Sequence, residues 1–323
     1  GWLDRPLSVA GRVVIRQGNR LLSRLVNIDR DLLVIPSVAI HMDRSVNKGA
    51  ELNPAVDLLP LLGCGKEPGA FRKLIAEAAG VREEHLLSTE LFLYPRTKAV
   101  QTGLNGEFIV SPRLDDLQCV FGCLEGFLAA KPGGSLPVLA VFNNEEVGSS
   151  TRQGADSTFL TDVLERIAHG CGLDSEAWKA AVANSFMVSA DNAHAIHPAH
   201  PEYADKGECP VLGGGIVIKY NANQRYTTDA VSGAVFQAIC QEAGVPVQRY
   251  SNRADLPGGS TLGNLLGHQI LIPMVDIGLA QLAMHSAMET ASCKDAEYMA
   301  KAVAEFYNTP ISQPVDGEWK LGL

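Results

Sequence analysis

The stretch "LPVLAVFNNEEVGSS", residues 136–150, decides how this chain reads. Its first seven residues, 136–142, form an apolar run of strand length, the pattern of a strand buried on both faces of a sheet. The run ends on two adjacent carboxylates, Glu145 and Glu146, followed by Gly148. Two like charges side by side at the end of a buried strand call for a reason.

Working outward, Leu117, Val120, Phe121, Leu124, Phe127 and Leu128 recur at helical spacing and predict a helix with one apolar face. Downstream, "STFLTDVLERIAHG" reads as a helix, "SFMVSA" (185–190) as a strand and "GIVIKYN" as another. "DAVSGAVFQAICQEAG" (229–244) is a helix ending at Gly244, "VPVQRYS" and "HQILIPMVDIG" are strands, and "CKDAEYMAKAVAEFYN" is the last helix. This alternation predicts an α/β fold, with residues 106–323 forming a layered domain whose mostly parallel sheet is flanked by helices. Residues 1–105 read differently. Runs rich in Val, Ile and Leu at 9–17, 19–28 and 31–42 are separated by Gly18-Asn19 and Asp29-Arg30. With "EPGAFRKLIAEAAG" (67–80) as a short helix and "EHLLSTELFLYP" as a further strand, they predict a β-rich unit.

Composition narrows the function. A chain of 323 residues suits two domains, and 46% hydrophobic with 20% charged residues supports a sizeable core. The net charge of −9 argues against nucleic acid, whose binding rests on basic contacts to phosphate, and against an anionic membrane surface. No apolar run is long enough to span a bilayer. Seven cysteines without a C-x-x-C pair read as buried free thiols in a reducing compartment, hence a cytoplasmic protein. No secretory signal peptide is expected. The opening "GWLDRPLS" has no initiator Met, so the chain is expected to begin part-way through a longer protein.

In open α/β sheets, ligands gather outside the carboxyl ends of strands. Glu145 and Glu146 follow the run 136–142, Asp191 follows 185–190, Asp115 lies where a strand gives way to a helix, and His285 lies just beyond 269–277. Singly, each has a plain reading: an N-cap for Asp115 or Asp116, a solvated pair for the glutamates, a satisfied imidazole for His285. Together, carboxylates crowded at one sheet edge repel one another unless a cation sits among them. Carboxylate and imidazole suit Zn²⁺, Co²⁺ or Mn²⁺, and a carboxylate with two oxygens bridges two ions most simply. Such a pair polarises a carbonyl and activates water, and a base must take the water's proton. The doubled glutamate then has a purpose, because side chains of adjacent residues diverge and one can bind metal while the other faces the water.

With those residues in view, the chain resembles the aspartyl aminopeptidases, exopeptidases with two catalytic metals. The likeness rests on "GWLDRPLSVAGRV", "VIPSVAIHMDR", "LNGEFIVSPRLDDL", "NNEEVGS", "SADNAHAIHP", "VIKYNANQRY", "PGGSTLG" and "QLAMHS", in family order over nearly the whole chain. The resemblance implies a peptide substrate with an N-terminal Asp or Glu and two divalent ions, zinc first among them. It implies Asp115 as the bridging carboxylate, Glu146 and His285 completing one metal site, Asp191 in the other, and Glu145 as general base. His194 and Tyr226 would line the substrate site, and Lys219 would neutralise the substrate's acidic side chain. On its own, Lys219 at the end of "GIVIK" reads as a solvent-facing strand residue. His41 would enter a neighbouring subunit's active site, making residues 1–105 an inserted dimerisation domain of a homodimer or larger homo-oligomer.

Two departures accompany the likeness. Asp116 stands where the family usually has Asn, adding a charge beside the bridging residue. The family's first metal-ligating His precedes the "GWLDRPL" segment, so the Asp191 site is expected to lack its His and the sheet its opening strands. Either an N-terminal portion precedes these residues, or the chain is a fragment that could not work alone. Alternatives in other classes are a non-catalytic assembly or binding protein on the same scaffold, and another two-metal amidohydrolase such as a deacylase.

Overall fold

The computed structural model describes residues 2–131, 133–256 and 258–322. The chain divides into two compact units, Gly1–Lys98 and Ala99–Leu323.

In the first unit, β1 (Leu7–Gln17) and β2 (Arg20–Asn27) form a hairpin closed at Gly18-Asn19, where Gly18 takes a left-handed φ of 62°. After α1 (Ala70–Ala78), β3 (Leu86–Pro95) pairs antiparallel with β1, giving the order β2-β1-β3. Alternation along β1 turns Leu7, Val9, Val13 and Ile15 inward against Ile75 and Ala76 of the helix. Residues 31–42, expected as a third consecutive strand, make only isolated bridges, Leu7 to Leu33 and Val34 to Leu61. Pro36, which has no N–H to donate to a ladder, lies in the middle of the run.

The second unit opens with β4 (Val100–Thr102), β5 (Phe108–Ser111) and α2 (Leu114–Ala129), followed by α3 (Phe159–Gly170), α4 (Ser175–Ala183), β6 (Met187–Ala190) and β7 (Ala193–His194). β8 (Ile216–Tyr220), α5 (Ala230–Glu242), β9 (Val247–Ser251), α6 (Leu262–Gln269), β10 (Met274–Gly278) and β11 (Ala280–Leu282) come next. β12 (Glu289–Ser292), α7 (Cys293–Asn308), β13 (Ile311–Val315) and β14 (Glu318–Leu321) end it. The central sheet runs β6-β10-β8-β9, with β6–β10 and β8–β9 parallel and β10–β8 antiparallel. A second sheet runs β4-β5-β12-β11-β7 and is antiparallel except at β11–β7. The chain passes from the first sheet to the second twice, side by side: β6 into β7 through Asp191-Asn192, and β10 into β11 through Leu279.

Helices pack on the central sheet around Ile216, Ile218, Phe236, Val275, Ile277 and Met299. Three local expectations fail. Residues 136–142 form no strand; no described segment pairs with them, and Leu136 and Val141 stay exposed. A strand exists only through its partner's ladder, which composition does not supply. An apolar groove of about 590 Å³ lies along this segment, with Leu139, Phe142, Met187 and Val188 among its walls. Next, "HQILIPMVDIG" is a strand only from Met274; His268 and Gln269 end α6.

The helix α2 forms, but it buries a different face from the one its apolar spacing suggests. Leu117, Phe121, Leu124 and Leu128 are exposed, whereas Cys119, Gly122 and Gly126 are buried against α7. The physical reason is distance: a Cβ on Gly122 would lie 2.5 Å from Met299, and one on Gly126 2.8 Å from the Ala300 carbonyl. Small residues set the contact and the larger apolar stripe is left outside it. Replacing Gly126 by Val is therefore expected to destabilise the unit by about 3 kcal/mol or more, since backbone cannot yield as a side-chain tip can. Chemical denaturation would measure this; a loss under about 0.5 kcal/mol would refute the close-packing argument.

Candidate metal centre

The acidic residues come together around the double crossing. Asp115 follows β5 at the start of α2, and it does not cap that helix; Arg113 holds the cap position. Asp191 lies between β6 and β7. Glu145 and Glu146 sit in a turn closed by Gly148 N–H donating to the Glu145 carbonyl at 2.8 Å and Ser149 N–H to the Asn144 carbonyl at 2.9 Å. His285 lies in the turn between β11 and β12.

His285 Nε2 is 3.1 Å from Asp115 Oδ2 and 3.3 Å from Glu146 Oε2. Asp115, Glu146 and His285 thus offer three donor atoms within 4.8 Å of one another. A second group, Asp115, Asp116 and Asp191, meets the same spacing, so Asp115 is common to both. The adjacent glutamates separate: Glu146 faces His285, whereas Glu145 is a wall of the groove together with Asp116.

Without a cation this arrangement is electrostatically costly. Burial, then the charges of Asp191 and Glu146, push the Asp115 carboxyl up to about 7. Burial and Asp191 raise Asp116, and burial, Asp191 and Glu146 raise Glu145. Asp115 Oδ1 is buried with no hydrogen-bond partner. An orphaned carboxylate oxygen beside an imidazole and further carboxylates is what a divalent metal would satisfy, so these residues fit one.

Lys219, read alone as solvent-facing, is 2% exposed. Its strand β8 lies inside the sheet, and its Nζ donates to Asp191 Oδ2 at 3.4 Å. Burial opposes its charge, but Asp191, Tyr226 and Asp276 more than offset this and hold its pKa above the ordinary lysine value. The same ammonium lies 5.6 Å from the Tyr226 ring centroid. Tyr226, Tyr250 and His194 form a chain of tilted rings at 6.2 Å spacings. Burial, then the charge of Lys219, lowers the His194 pKa. Gly278 is required at the crossing, because a Cβ there would meet the Asp191 carbonyl at 2.1 Å and Lys219 Cε at 3.0 Å. His41 belongs to the first unit and is exposed, within a turn closed by Met42 and Asp43 N–H donating to the Ala39 carbonyl.

Three buried polar residues escaped the sequence reading. Asp276 accepts hydrogen bonds from Ser189 Oγ, Thr261 Oγ1, and Thr227 N and Oγ1, tying together the loops before α5 and α6. Asn192 donates to the Leu114 carbonyl and to Gln281 Oε1. Glu289 accepts from the backbone N–H groups of Asp115 and His285. A carboxylate inside the apolar run "MVDIG" was the available signal for Asp276. Glu289 and Asn192 gave none, because their partners are remote in sequence or on the backbone.

Comparison with known proteins agrees with this geometry. The sequence model described as "Aminopeptidase I zinc metalloprotease (M18)" matches residues 1–307. The chain is 46% identical to the "Probable M18 family aminopeptidase 2" of Clostridium acetobutylicum, over 95% of this chain and 72% of that protein. It is 38% identical to the protein of the same name from Mycobacterium leprae, over 96% of this chain and 73% of that one. Among solved structures, a chain of the Ape4 and Nbr1 complex superposes with a TM-score of 0.88 at 35% identity, covering 95% of this chain and 63% of that one. The S. cerevisiae mApe1 dodecamer gives 0.76 at 27% identity, covering 95% and 69%. No described helix is long and apolar enough to cross a membrane. From Trp2 in the first unit to the carboxylates around His285 in the second, the chain belongs to the M18 family of zinc metalloproteases.

Proposed function

We propose that this protein is a metal-dependent aminopeptidase that removes N-terminal residues, preferentially Asp and Glu, from peptides. The observation that carries this reading is the shared position of Asp115, one carboxylate common to both donor groups. Asp115, Glu146 and His285 would hold one divalent ion, and Asp115 with Asp191 a second. Bound there, such ions supply Lewis acidity to the scissile carbonyl and lower the pKa of a water.

The chain's own residues do the rest. Glu145, half-buried and with its pKa raised, is suited to take a proton at a carboxylate oxygen and return it to the leaving amine. His194, its pKa lowered by burial and the charge of Lys219, lines the substrate space. Tyr226 packs beside Lys219 and bounds the same space. Lys219 is a fully charged ammonium without bulk water, and it is the group to neutralise an acidic side chain. Asp116, whose pKa burial and Asp191 raise, stands on the Asp191 side of the site, in the second donor group.

The first unit, by this reading, is a dimerisation domain that presents His41 to a neighbouring subunit. Leu25, Ile40, Met42 and Phe92 are exposed on it, apolar side chains available for burial between copies. A related protein is a dodecamer, which supports a closed homo-oligomer. The seven cysteines are free, but only Cys119 and Cys240 are buried and Cys64 and Cys171 are exposed; the reducing, cytoplasmic setting is proposed from their number and spacing in the sequence.

Hydrolysis of aspartyl- and leucyl-anilides by the zinc-loaded protein tests the assignment. Lys219→Ala is expected to lower kcat/KM for the aspartyl substrate by about 10–100-fold, the worth of one charge-assisted contact, with a smaller effect on the leucyl substrate. Equal losses on both would remove the support for acidic preference.

A further inference from the structure

We propose that Glu289 is a positioning residue for the metal centre, its one carboxylate fixing the backbone beneath two of the donors, Asp115 and His285. The proposal rests on the reading of this cluster as a divalent-metal site. Glu289 is the first residue of β12 and is 2% exposed. Its Oε2 accepts from Asp115 N–H at 3.0 Å, and its Oε1 accepts from His285 N–H at 2.7 Å. The topology explains how one side chain reaches both. β12 lies between β5, which leads to Asp115, and β11, which leads to His285.

Both oxygens are engaged by backbone donors, and Glu289 belongs to neither donor group. It therefore acts through its neighbours and does not itself hold an ion. His285 needs such a restraint, because its φ of 65° lies in the left-handed region, which a residue with a Cβ adopts only under strain. A carboxylate is the group for the task. Gln offers one acceptor where two N–H groups need one each, and its NH₂ would face a donor. Asp keeps the charge but is one methylene short of spanning both.

Amide hydrogen exchange on the unmodified protein comes first, followed by zinc titration against a chromophoric chelator for wild type, Glu289→Gln and Glu289→Asp. Far-UV circular dichroism monitors the fold, and the visible spectrum with Co²⁺ reports coordination geometry. The Asp115 and His285 amides should exchange slowly. Both variants should bind zinc about 10–100-fold more weakly, with altered Co²⁺ bands and a native dichroism spectrum. Fast exchange of both amides, or wild-type zinc affinity in either folded variant, overturns the proposal. An unmodified protein that binds no zinc instead sinks the metal reading on which it rests.

Discussion

Replacing Glu145 by Gln is expected to lower turnover by about 10²–10⁴-fold and to leave metal binding intact. The geometry separates the two effects. Glu146, the neighbour, is the residue 3.3 Å from His285, while Glu145 is absent from both donor groups. Its amide analogue keeps the volume and loses only the ability to take a proton. Burial, Asp191 and Glu146 raise its pKa, in the direction of the working pH, where a base is most effective. Steady-state kinetics with metal content measured on the same sample decides the matter. A Glu145→Gln variant with full metal content and near-normal kcat would remove Glu145 from the base role.

The second large effect is expected at Asp115. Chelation should abolish activity, and added Zn²⁺ should restore it in the wild type but not in Asp115→Ala. Lewis-acid stabilisation is worth several kcal/mol, about a thousandfold or more in rate, and Asp115 is the donor common to both groups. The variant should behave oppositely in stability. A carboxyl pushed up to about 7 is ionised only at a cost to the fold, so removing it relieves repulsion with Asp191 and Glu146. The sign follows from linkage. A carboxylate whose pKa is raised on folding makes the metal-free fold less stable as pH rises from its unfolded value of about 4 toward 7. Metal-free Asp115→Ala should therefore melt no lower than metal-free wild type at neutral pH, yet gain nothing from zinc. Calorimetric scans with and without Zn²⁺ check both statements; an equal zinc-induced rise in melting temperature for variant and wild type would contradict them.

How far the sequence disclosed all this depended on what each signal measures. Helical periodicity in "CKDAEYMAKAVAEFYN" gave α7 to the residue, because Ser292 caps its start and its pattern is regular. Periodicity misled at α2, where hydrophobic spacing picked the exposed stripe and Gly122 and Gly126 chose the contact. Apolar composition misled at 136–142, since pairing depends on a partner that composition cannot name. The donors Asp115, Glu146, Asp191 and His285 were legible as chemistry-bearing residues at chain turns, and the structure brings them together. Lys219 looked like a surface residue because a lysine beside "GIVI" carries no mark of the sheet closing over it. Glu289 was invisible for a related reason: its work is done on backbone amides, which every residue but proline has.

The double passage of the chain between the two sheets has a mechanical corollary. Asp191 rides on one strand of the passage and Gly278 braces it from the other, while Asp115 and His285 hang from strands of the second sheet. Any shear of one sheet across the other is felt first as a change in the spacing of these donors. An ion held by these residues would tie the two sheets together, so its loss is expected to loosen the unit.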